Sequence, residues 1–261
     1  MYSFLSPISA QNASENEEKQ TKLTFKNEYV SRVAFQGRDI GQPQWGFNSG
    51  LNFNTAGGFT ASVGASYWSL INPNGIAFTS LGIGYNFDLT DWLSGSVGYE
   101  RWFLNGDTTY LGANPNSNYW SLELAAEIGN FNFHHSGFLI SSKNDQSWGY
   151  DVGLTYKFEL GDWRIEPDVT LMSGTDNFSL TKRTGRPGKP PRVVLSNTTV
   201  YKLLNYELSL PITYEQKHWS ATATFFYDLP QNPSVSEGVL PSFSYFSLGF
   251  NWILWEKAKG K

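Results

Sequence analysis

Three alternating residues, Arg164, Glu166 and Asp168, have the types and spacing that acid–base chemistry could use. In an extended chain, side chains two positions apart point to the same face, so these three would lie together. Glu166 and Asp168 would form a carboxylate pair able to transfer protons or to hold a cation. Such clusters more often form ion pairs with neighbouring arginine or lysine. We therefore interpret the triplet as charge on one face of a sheet and predict no catalysis by it.

A second group, His134, His135 and Ser136, offers the imidazole and hydroxyl that lipid-hydrolysing enzymes use. Adjacent residues of a strand face opposite sides, so both histidines reach one site only across a bulge. The remaining histidine, His218, lies in a predicted turn, and no Gly-x-Ser-x-Gly element is present. The sequence therefore predicts no enzyme, no metal and no cofactor, and a lipid-modifying enzyme is the weaker alternative.

Composition excludes further classes of function. The 261 residues have a net charge of −4 with 16 % charged side chains, which is not the basic excess of a nucleic-acid-binding protein. The absence of cysteine excludes disulfides and cysteine-bound metals. No P-loop, dinucleotide-binding fingerprint, EF-hand loop or zinc-ligand spacing occurs. We predict no nucleic-acid partner.

The elements that position these residues have a period of two from Thr21 onward, which is the period of a β-strand. Between Phe59 and Trp68, apolar residues at odd positions alternate with Thr, Ser and Gly at most even positions. Aromatic residues make up 16 % of the chain, yet its mean hydropathy is −0.36. No run of about 18 apolar residues exists, so there is no candidate transmembrane helix. This combination is typical of strands that cross a membrane as a barrel.

The alternating runs predict about twelve strands separated by connections of two kinds. The expected spans are 22–33, 44–54, 59–69, 77–87, 92–104, 119–128, 131–141, 148–159, 163–173, 200–214, 219–228 and 243–255. Tight connections at 55–58, 88–91, 129–130, 161–162 and 215–218 alternate with mostly longer ones at 34–43, 70–76, 105–118, 142–147, 174–199 and 229–242.

Barrels of bacterial outer membranes have short periplasmic turns and longer external loops. We therefore predict an all-β fold, a transmembrane antiparallel up-and-down β-barrel of about twelve strands in the bacterial outer membrane. A soluble β-sandwich is the alternative fold, and it would be released from cells without detergent.

Tryptophans supply an independent sign of a membrane, because all ten lie at or near the ends of predicted strands. Indole rings favour the membrane–water interface, where an apolar ring and an N–H donor are both accommodated. We predict two interface belts, with Trp45, Trp68, Trp102, Trp120 and Trp148 at the long-loop end and Trp92, Trp163, Trp219, Trp252 and Trp255 at the short-turn end.

Three positions interrupt the strand pattern. Pro167 and Pro211 lie inside predicted strands, where each removes a backbone donor, so they predict bulges or strand ends. The run 131–141 changes parity at His134 and His135, which predicts a bulge there.

Both ends of the chain are predicted to lie outside the barrel. Met1 to Ala10 lacks a basic region but ends in Ile8-Ser9-Ala10, which resembles a signal-peptidase site. We expect residues 1–20 to be a signal remnant or a flexible tail, 21–255 to be the barrel, and 256–261 to be a basic C-terminal tail.

The opening of the chain resembles a known family. Glu28-Tyr29-Val30-Ser31-Arg32, then Gln36 and Gly37, then Gln44-Trp45-Gly46-Phe47 are similar to the first hairpin of an uncharacterised family of porin-like bacterial outer-membrane β-barrels. There, a Tyr-Val-x-Arg strand leads through a polar loop into a glycine-rich strand. This sequence departs from the pattern at Val33, where a glycine is expected. The resemblance covers about two strands and implies the fold, the location and porin-like transport.

The inner face of the predicted barrel is polar and charged, because Lys or Arg facing lipid would cost roughly 2–4 kcal/mol each at midplane. The predicted pore-lining residues are Lys26, Glu28, Arg32, Glu100, Glu123, Asp151, Lys157, Arg164, Glu166, Asp168 and Glu207, with Glu127 and Asp228 on the same parity. They predict a porin-like channel for passive passage of small polar solutes. The alternative is a sealed barrel that acts as a structural or interaction subunit of an outer-membrane complex.

The segment 174–199 is predicted to be an external basic loop, because its prolines and glycines argue against regular structure. It contains Lys182, Arg183, Arg186, Lys189 and Arg192, with Asp176 as its only acid. We expect a solvated loop, or one that contacts anionic lipopolysaccharide or attracts anions to a pore mouth. Membrane lipid, lipopolysaccharide and small polar solutes are thus the predicted partners.

Overall fold

The computed structural model describes residues 20–35, 38–39, 43–70, 75–104, 116–141, 146–184, 192–231 and 241–257. For residues 35, 38, 39, 104, 116, 176–184 and 192–200 it describes the backbone alone. Within these ranges, no helix is long and apolar enough to span a membrane. Of the predicted tails 1–20 and 256–261, residues 1–19 and 258–261 lie outside them, and so do the motif residues Gln36 and Gly37. Glu256 and Lys257 belong to the last strand.

The described residues form strands that follow the alternating runs of the sequence. In chain order they are β1 (Thr21–Val30), β2 (Ala34–Phe35), β3 (Arg38–Asp39), β4 (Gly46–Asn54), β5 (Phe59–Trp68), β6 (Ile76–Thr90), β7 (Leu93–Leu104), β8 (Asn116–Ile128), β9 (Phe131–Ser141), β10 (Gln146–Tyr156), β11 (Phe158–Leu160), β12 (Trp163–Ile165), β13 (Asp168–Thr184), β14 (Arg192–Gln216), β15 (Trp219–Pro230) and β16 (Phe243–Lys257). β10 and β11 follow each other as one continuous strand of the barrel, and so do β12 and β13. Each strand of the barrel, counted in this way, is called a stave. β2 and β3 pair with each other as a separate two-stranded sheet.

The sheet closes on itself. Each stave pairs antiparallel with its neighbours in sequence, and β1 pairs with β4 on one side and with β16 on the other. Within the described residues, every stave is paired with a neighbour on each side, which is the requirement for a sheet in a membrane. The predicted fold class is confirmed, since the chain is all-β and forms a closed barrel of twelve antiparallel staves.

The two ends of the barrel differ in their connections. The connections 55–58, 91–92, 129–130, 161–162 and 217–218 are tight and lie at the same end of the barrel, called here the turn end. Gly129 and Gly161 adopt positive φ of 60° and 62°, a conformation that glycine reaches without steric cost. The opposite end, called the loop end, has the longer connections, as the sequence predicts.

The longest hairpin corrects one prediction. β13 and β14 remain paired from Asn177 opposite Thr199 to Thr184 opposite Arg192, so the predicted irregular loop at 174–199 is wrong over its described part. Stretches rich in threonine, valine and leucine favour strand there, and the prolines at 187, 190 and 191 lie outside the described residues. The backbones of Lys182, Arg183 and Arg192 lie in this hairpin, whereas Arg186 and Lys189 lie outside the described residues.

The prolines interrupt the sheet at one place. Pro167 separates β12 from β13, which confirms the predicted strand end. Pro211 lies within an unbroken β14, and its carbonyl accepts a hydrogen bond from the Glu166 N–H at 3.0 Å. In a strand, the N–H and C=O of one residue point toward the same neighbouring strand. The N–H that proline lacks at position 211 would therefore point toward the interruption between β12 and β13 at Pro167.

The predicted bulge at His134 and His135 is wrong. β9 keeps an unshifted register with both β8 and β10 along its whole length. The apparent change of parity arises because the inward residue Phe138 is apolar, as described below.

Candidate functional site

The interior of the barrel is a polar cavity of about 930 Å³. Strand alternation builds it, because on β5 Thr60 and Ser66 point inward and are buried while Val63 and Tyr67 are exposed outside. The turn residues Gly129 and Asn130 line the cavity, so it reaches the turn end of the barrel. Its walls carry many serine, threonine and asparagine side chains, which suit water and polar solutes.

Most of the residues that parity places on the inner face line this cavity, and their role in a pore stays a prediction. The cavity is lined by Lys26, Glu28, Glu100, Glu123, Asp151, Lys157, Glu166, Asp168 and Glu207, and by Glu127. Arg32 and Arg164 do not line it. Arg32 follows the end of β1, and its guanidinium carbon lies 3.9 Å from the centre of the Phe243 ring. Arg164 is engaged by Glu166 at 2.9 Å and by Glu215 at 3.1 Å.

The triplet of Arg164, Glu166 and Asp168 does not form a carboxylate pair. Glu166 is ion-paired with Arg164, whereas Asp168 follows the break at Pro167. Asp168 Oδ1 accepts from Thr155 Oγ1 at 2.7 Å and lies 2.8 Å from His134 Nε2, and Asp168 Oδ2 accepts from Thr170 Oγ1 at 2.7 Å. Each carboxylate therefore has its own partners, as is typical of side chains that stabilise the fold.

The histidine and serine group is divided between two faces of the sheet. His134 points inward to Asp168, while His135 points outward and its Nδ1 lies 2.7 Å from Tyr150 Oη. Ser136 points inward and donates to Asp151 Oδ2 at 3.2 Å. The imidazole and the hydroxyl thus have separate partners and do not form a nucleophile–base pair.

The charge of the cavity wall is strongly unbalanced. Its lining includes ten carboxylates and two lysines, Lys26 and Lys157. Lys157 Nζ is ion-paired with Glu159 Oε1 at 2.6 Å, so these two charges of the lining offset each other. Low-dielectric walls lined by one sign of charge concentrate the field inside. Carboxylic side chains therefore outnumber lysines on the described part of this wall.

A row of aromatic rings faces inward toward the loop end. We call it the inner aromatic row, and its members are Trp68, Phe78, Trp102, Tyr119 and Phe138. Successive ring centroids lie 6.0, 5.5, 5.2 and 5.9 Å apart, so the row crosses five neighbouring strands from β5 to β9. Trp102 Nε1 donates to Glu100 Oε2 at 2.8 Å, which ties the row to the polar wall below it.

The inner aromatic row corrects the predicted tryptophan belts. Trp68 and Trp102 are 1 % and 5 % exposed, so their predicted place at the membrane interface is wrong. Both share the parity of inward residues, Trp68 with Ser66 and Trp102 with Glu100. This shared parity is the feature of the sequence that indicates their inward position. Their location at strand ends instead favoured the membrane interface. The other eight tryptophans are exposed on the outer surface at the two predicted ends: Trp45, Trp92, Trp120, Trp148, Trp163, Trp219, Trp252 and Trp255.

Other residues near the loop end are also buried. Val30 at the end of β1, and Val33 and Ala34 just after it, are shielded from solvent, as are Phe226 and Tyr245 on β15 and β16. The Val33 N–H donates to the Gln44 carbonyl at 2.7 Å, which holds the start of the β1–β4 connection against its end. Buried apolar side chains are therefore concentrated toward the loop end of the described barrel wall.

The carboxylates of the described cavity wall are not arranged as a metal site. Among the described residues, no group of three or more His, Cys, Asp or Glu is placed to hold a metal ion. The carboxylates are spread along the wall instead of converging on one point.

Comparison with known proteins supports the architecture. The KdgM porin in complex with disordered oligogalacturonate matches with a TM-score of 0.51 at 10 % identity, over 90 % of this chain and 99 % of that chain. The COG4313 outer membrane channel from Pseudomonas putida F1 matches with a TM-score of 0.51 at 8 % identity, over 92 % and 99 %. LpxR from Salmonella typhimurium matches with a TM-score of 0.49 at 9 % identity, over 88 % and 100 %.

No protein-family model and no curated protein matches the sequence. The resemblance of the opening hairpin to one family therefore stays a prediction. Identities this low show a shared fold alone, and the chain is a closed twelve-stave β-barrel with the architecture of outer-membrane barrels.

Proposed function

We propose that the protein is an outer-membrane β-barrel that acts as a porin-like channel for the passive passage of small polar solutes. The observation that carries this proposal is the polar cavity of about 930 Å³ inside a barrel whose outer wall is apolar. Polar residues inside and apolar residues outside are the arrangement of a sheet between a watery pore and lipid.

The outer wall supports a membrane location. Leu81, Ile83, Phe225 and Leu248 lie on its surface with their side chains exposed. A contiguous apolar surface that runs around a whole barrel would not suit a soluble monomer. We propose that lipid covers it, that the exposed tryptophans lie at the two membrane interfaces, and that lipopolysaccharide contacts the loop end.

The solved barrels with TM-scores of 0.51 include a porin and an outer membrane channel, which agrees with this proposal by analogy. Catalysis is not part of the proposal, because His134 and Ser136 have separate partners. Lipid turnover that was lost on His134→Ala or His135→Ala would overturn that exclusion.

A second candidate function is favoured by the inner aromatic row. Buried rings at the loop end would close the barrel in its resting form, and a sealed barrel would serve as a structural or interaction subunit. The two candidates differ in whether ions pass through the lumen.

Planar-bilayer recording of the refolded protein separates them. We expect discrete conductance steps in the natural protein, and larger steps after Phe78→Ala with Trp102→Ala, which opens the narrow end. Trp120→Ala is the matched control, because Trp120 is 50 % exposed on the outer surface. Steps only in the double variant would support the sealed barrel, and no steps in any variant at any voltage would contradict a channel.

A further inference from the structure

We infer that the outer wall of the barrel has a binding site for the phosphate of a lipid headgroup, built around Arg101 near the loop end. The inference rests on the membrane location in the proposed function, and it assigns the lipopolysaccharide contact to particular residues. We call the site the outer polar row and define it by Arg101 on β7, Asn118 on β8, Ser141 on β9 and Gln146 on β10.

Register places these four residues side by side. Arg101 is paired with Asn118, Asn118 with Ser141, and Ser141 with Gln146, so the row runs across four neighbouring strands. Directly paired residues lie on the same face of a sheet. The outer polar row is therefore one continuous polar strip on the wall.

Parity shows that this strip faces outward. Arg101 stands between Glu100, which lines the cavity, and Trp102, which belongs to the inner aromatic row. Asn118 likewise stands between the buried residues Ser117 and Tyr119. Successive strand residues point to opposite faces, so Arg101 and Asn118 lie on the outer surface.

The guanidinium of Arg101 is held in place without being neutralised. Arg101 Nη1 donates to Asn118 Oδ1 at 2.5 Å, and Tyr99 Oη donates to the same oxygen at 2.9 Å. The amide of Asn118 has no charge, and among the described residues Arg101 forms no ion pair. A guanidinium has five N–H donors, so most of them remain available to a ligand.

A row of apolar and aromatic residues fixes the depth of the site in a membrane. Tyr99, Trp120, Leu139 and Trp148 form the next outward row toward the turn end. Trp120 and Trp148 are 50 % and 49 % exposed, and the Tyr99 and Trp120 ring centroids lie 4.5 Å apart.

Tryptophan and tyrosine on a barrel wall mark the membrane–water interface. Two residues of strand span about 7 Å, so the outer polar row lies at most about 7 Å beyond these rings, toward the loop end. At that depth lipid headgroups replace acyl chains, and an outward arginine has little cost.

The chemistry of the site selects phosphate. The planar donors of arginine match two phosphate oxygens at once, and the pair is both charged and hydrogen-bonded. Neither of the two rows contains a carboxylate among its residues, so no like charge opposes an anion there. A phosphate carried by a lipid also gains contact between its acyl chains and the tryptophan row, which a free phosphate cannot make. We therefore assign the site to a lipid-borne phosphate of lipopolysaccharide.

The test uses the refolded full chain in detergent micelles and counts bound lipid by native mass spectrometry. The probes are phosphorylated lipid A and the same lipid A after enzymatic removal of its phosphates. We expect the phosphorylated lipid to bind more tightly in the natural protein. Arg101→Gln should weaken its binding by about tenfold, as expected when a charged hydrogen-bond partner is lost.

Two further variants complete the design. Arg101→Lys keeps the charge but loses the planar pair of donors, so it should weaken binding by about threefold. Lys217→Gln is the matched control, because it removes one positive charge from an exposed turn at the opposite end of the barrel. It should bind lipid A as the natural protein does.

Equal binding of the two lipids would overturn the inference, as would unchanged binding in Arg101→Gln. An equal loss in Lys217→Gln would also overturn it, because attraction by overall charge would then explain the binding. Inorganic phosphate that displaces lipid A at equal concentration would overturn the assignment to a lipid. Heat-modifiable migration on gels checks folding, and if Arg101→Gln does not fold, unchanged binding in Arg101→Lys would overturn the site.

The channel and the lipid site fail separately. Arg101 lies outside the lumen, so Arg101→Gln should leave bilayer conductance steps unchanged. Conductance without a preference for phosphorylated lipid A would overturn the site and leave the channel intact. A preference for phosphorylated lipid A without conductance would overturn the channel and leave the site intact.

Discussion

Neighbouring histidines on β9 illustrate how strongly the local environment depends on parity. His134 and His135 are adjacent in sequence, yet one points into the lumen at Asp168 and the other points outward at Tyr150. The inward imidazole shares Asp168 with Thr155 and Thr170, so its loss would leave part of a buried hydrogen-bond group unsatisfied. The outward imidazole is a polar group on the surface proposed to face lipid.

We predict opposite effects when each histidine is replaced by leucine. His134→Leu should lower the free energy of unfolding by about 1–3 kcal/mol, because Asp168 loses a partner in a partly buried position. His135→Leu should be neutral or stabilising, because an apolar side chain replaces a polar one against lipid. Urea unfolding in lipid vesicles, followed by tryptophan fluorescence, measures both.

Each variant serves as the control for the other. Equal destabilisation by the two substitutions would contradict the assignment of these histidines to opposite faces of the sheet.

Site residues were predictable wherever parity alone decides the side of the sheet. Lys26, Asp151 and Glu207 lie on the cavity wall for that reason. The facing of Glu207 and Asp228, which are paired across β14 and β15, was not predictable, because it depends on the register across a hairpin whose turn could be placed only to within a few residues. The inward position of Trp102 was missed because the preference of indole for interfaces was given more weight than parity.

At the scale of the element, the tight turns are controlled by a few backbone conformations. Gly129 and Gly161 have positive φ, and beyond the adjacent residues no described atom lies within 4 Å of the place where a Cβ would stand. Substitution there introduces backbone strain without a clash. Gly137 in β9 is a useful contrast, because it has ordinary strand geometry and its nearest neighbour, Tyr150 Cδ2, would lie 3.9 Å away.

We predict that Gly129→Ala and Gly161→Ala each lower the free energy of unfolding by about 1–2 kcal/mol, the cost of a left-handed conformation for an L-residue. Gly137→Ala should change it by less than about 0.5 kcal/mol in either direction. Equilibrium unfolding of the three variants tests this, and an equal loss in all three would show that φ is not the cause.

The elements themselves were largely predictable, because a period of two and the turn residues agree along most of the chain. β13 and β14 were predicted too short, since the prolines near 190 were taken to disrupt the whole segment. The described pairing continues to Thr184 opposite Arg192, because the threonine, valine and leucine residues on both sides of the prolines favour strand.

For the molecule as a whole, closure depends on the pairing of β1 with β16. A chain that ends at Ser242 lacks the last stave, which would leave β1 and β15 with unpaired backbone groups in lipid. Each unsatisfied group there costs several kcal/mol. We predict that this shortened chain does not fold to a heat-modifiable species on gels, whereas a chain ending at Lys257 does. Heat-modifiable folding of the shorter chain would contradict the requirement for closure.

The overall barrel follows from the sequence pattern, but the state of its interior does not. Alternation requires one polar side and one apolar side, and closure follows because an open edge is costly in lipid. The inner aromatic row was not predictable from alternation, because its apolar rings lie on the side that the pattern assigns to polar residues.

The pairing of Thr21 with Lys257 at the turn end has a practical consequence. These residues are cross-strand partners, so a linker of a few residues would join the first and last staves as an ordinary hairpin. Opening the chain instead between Gly161 and Asp162 would place the new termini at the same end of the barrel. The protein should therefore tolerate circular permutation, with each stave keeping both of its neighbours.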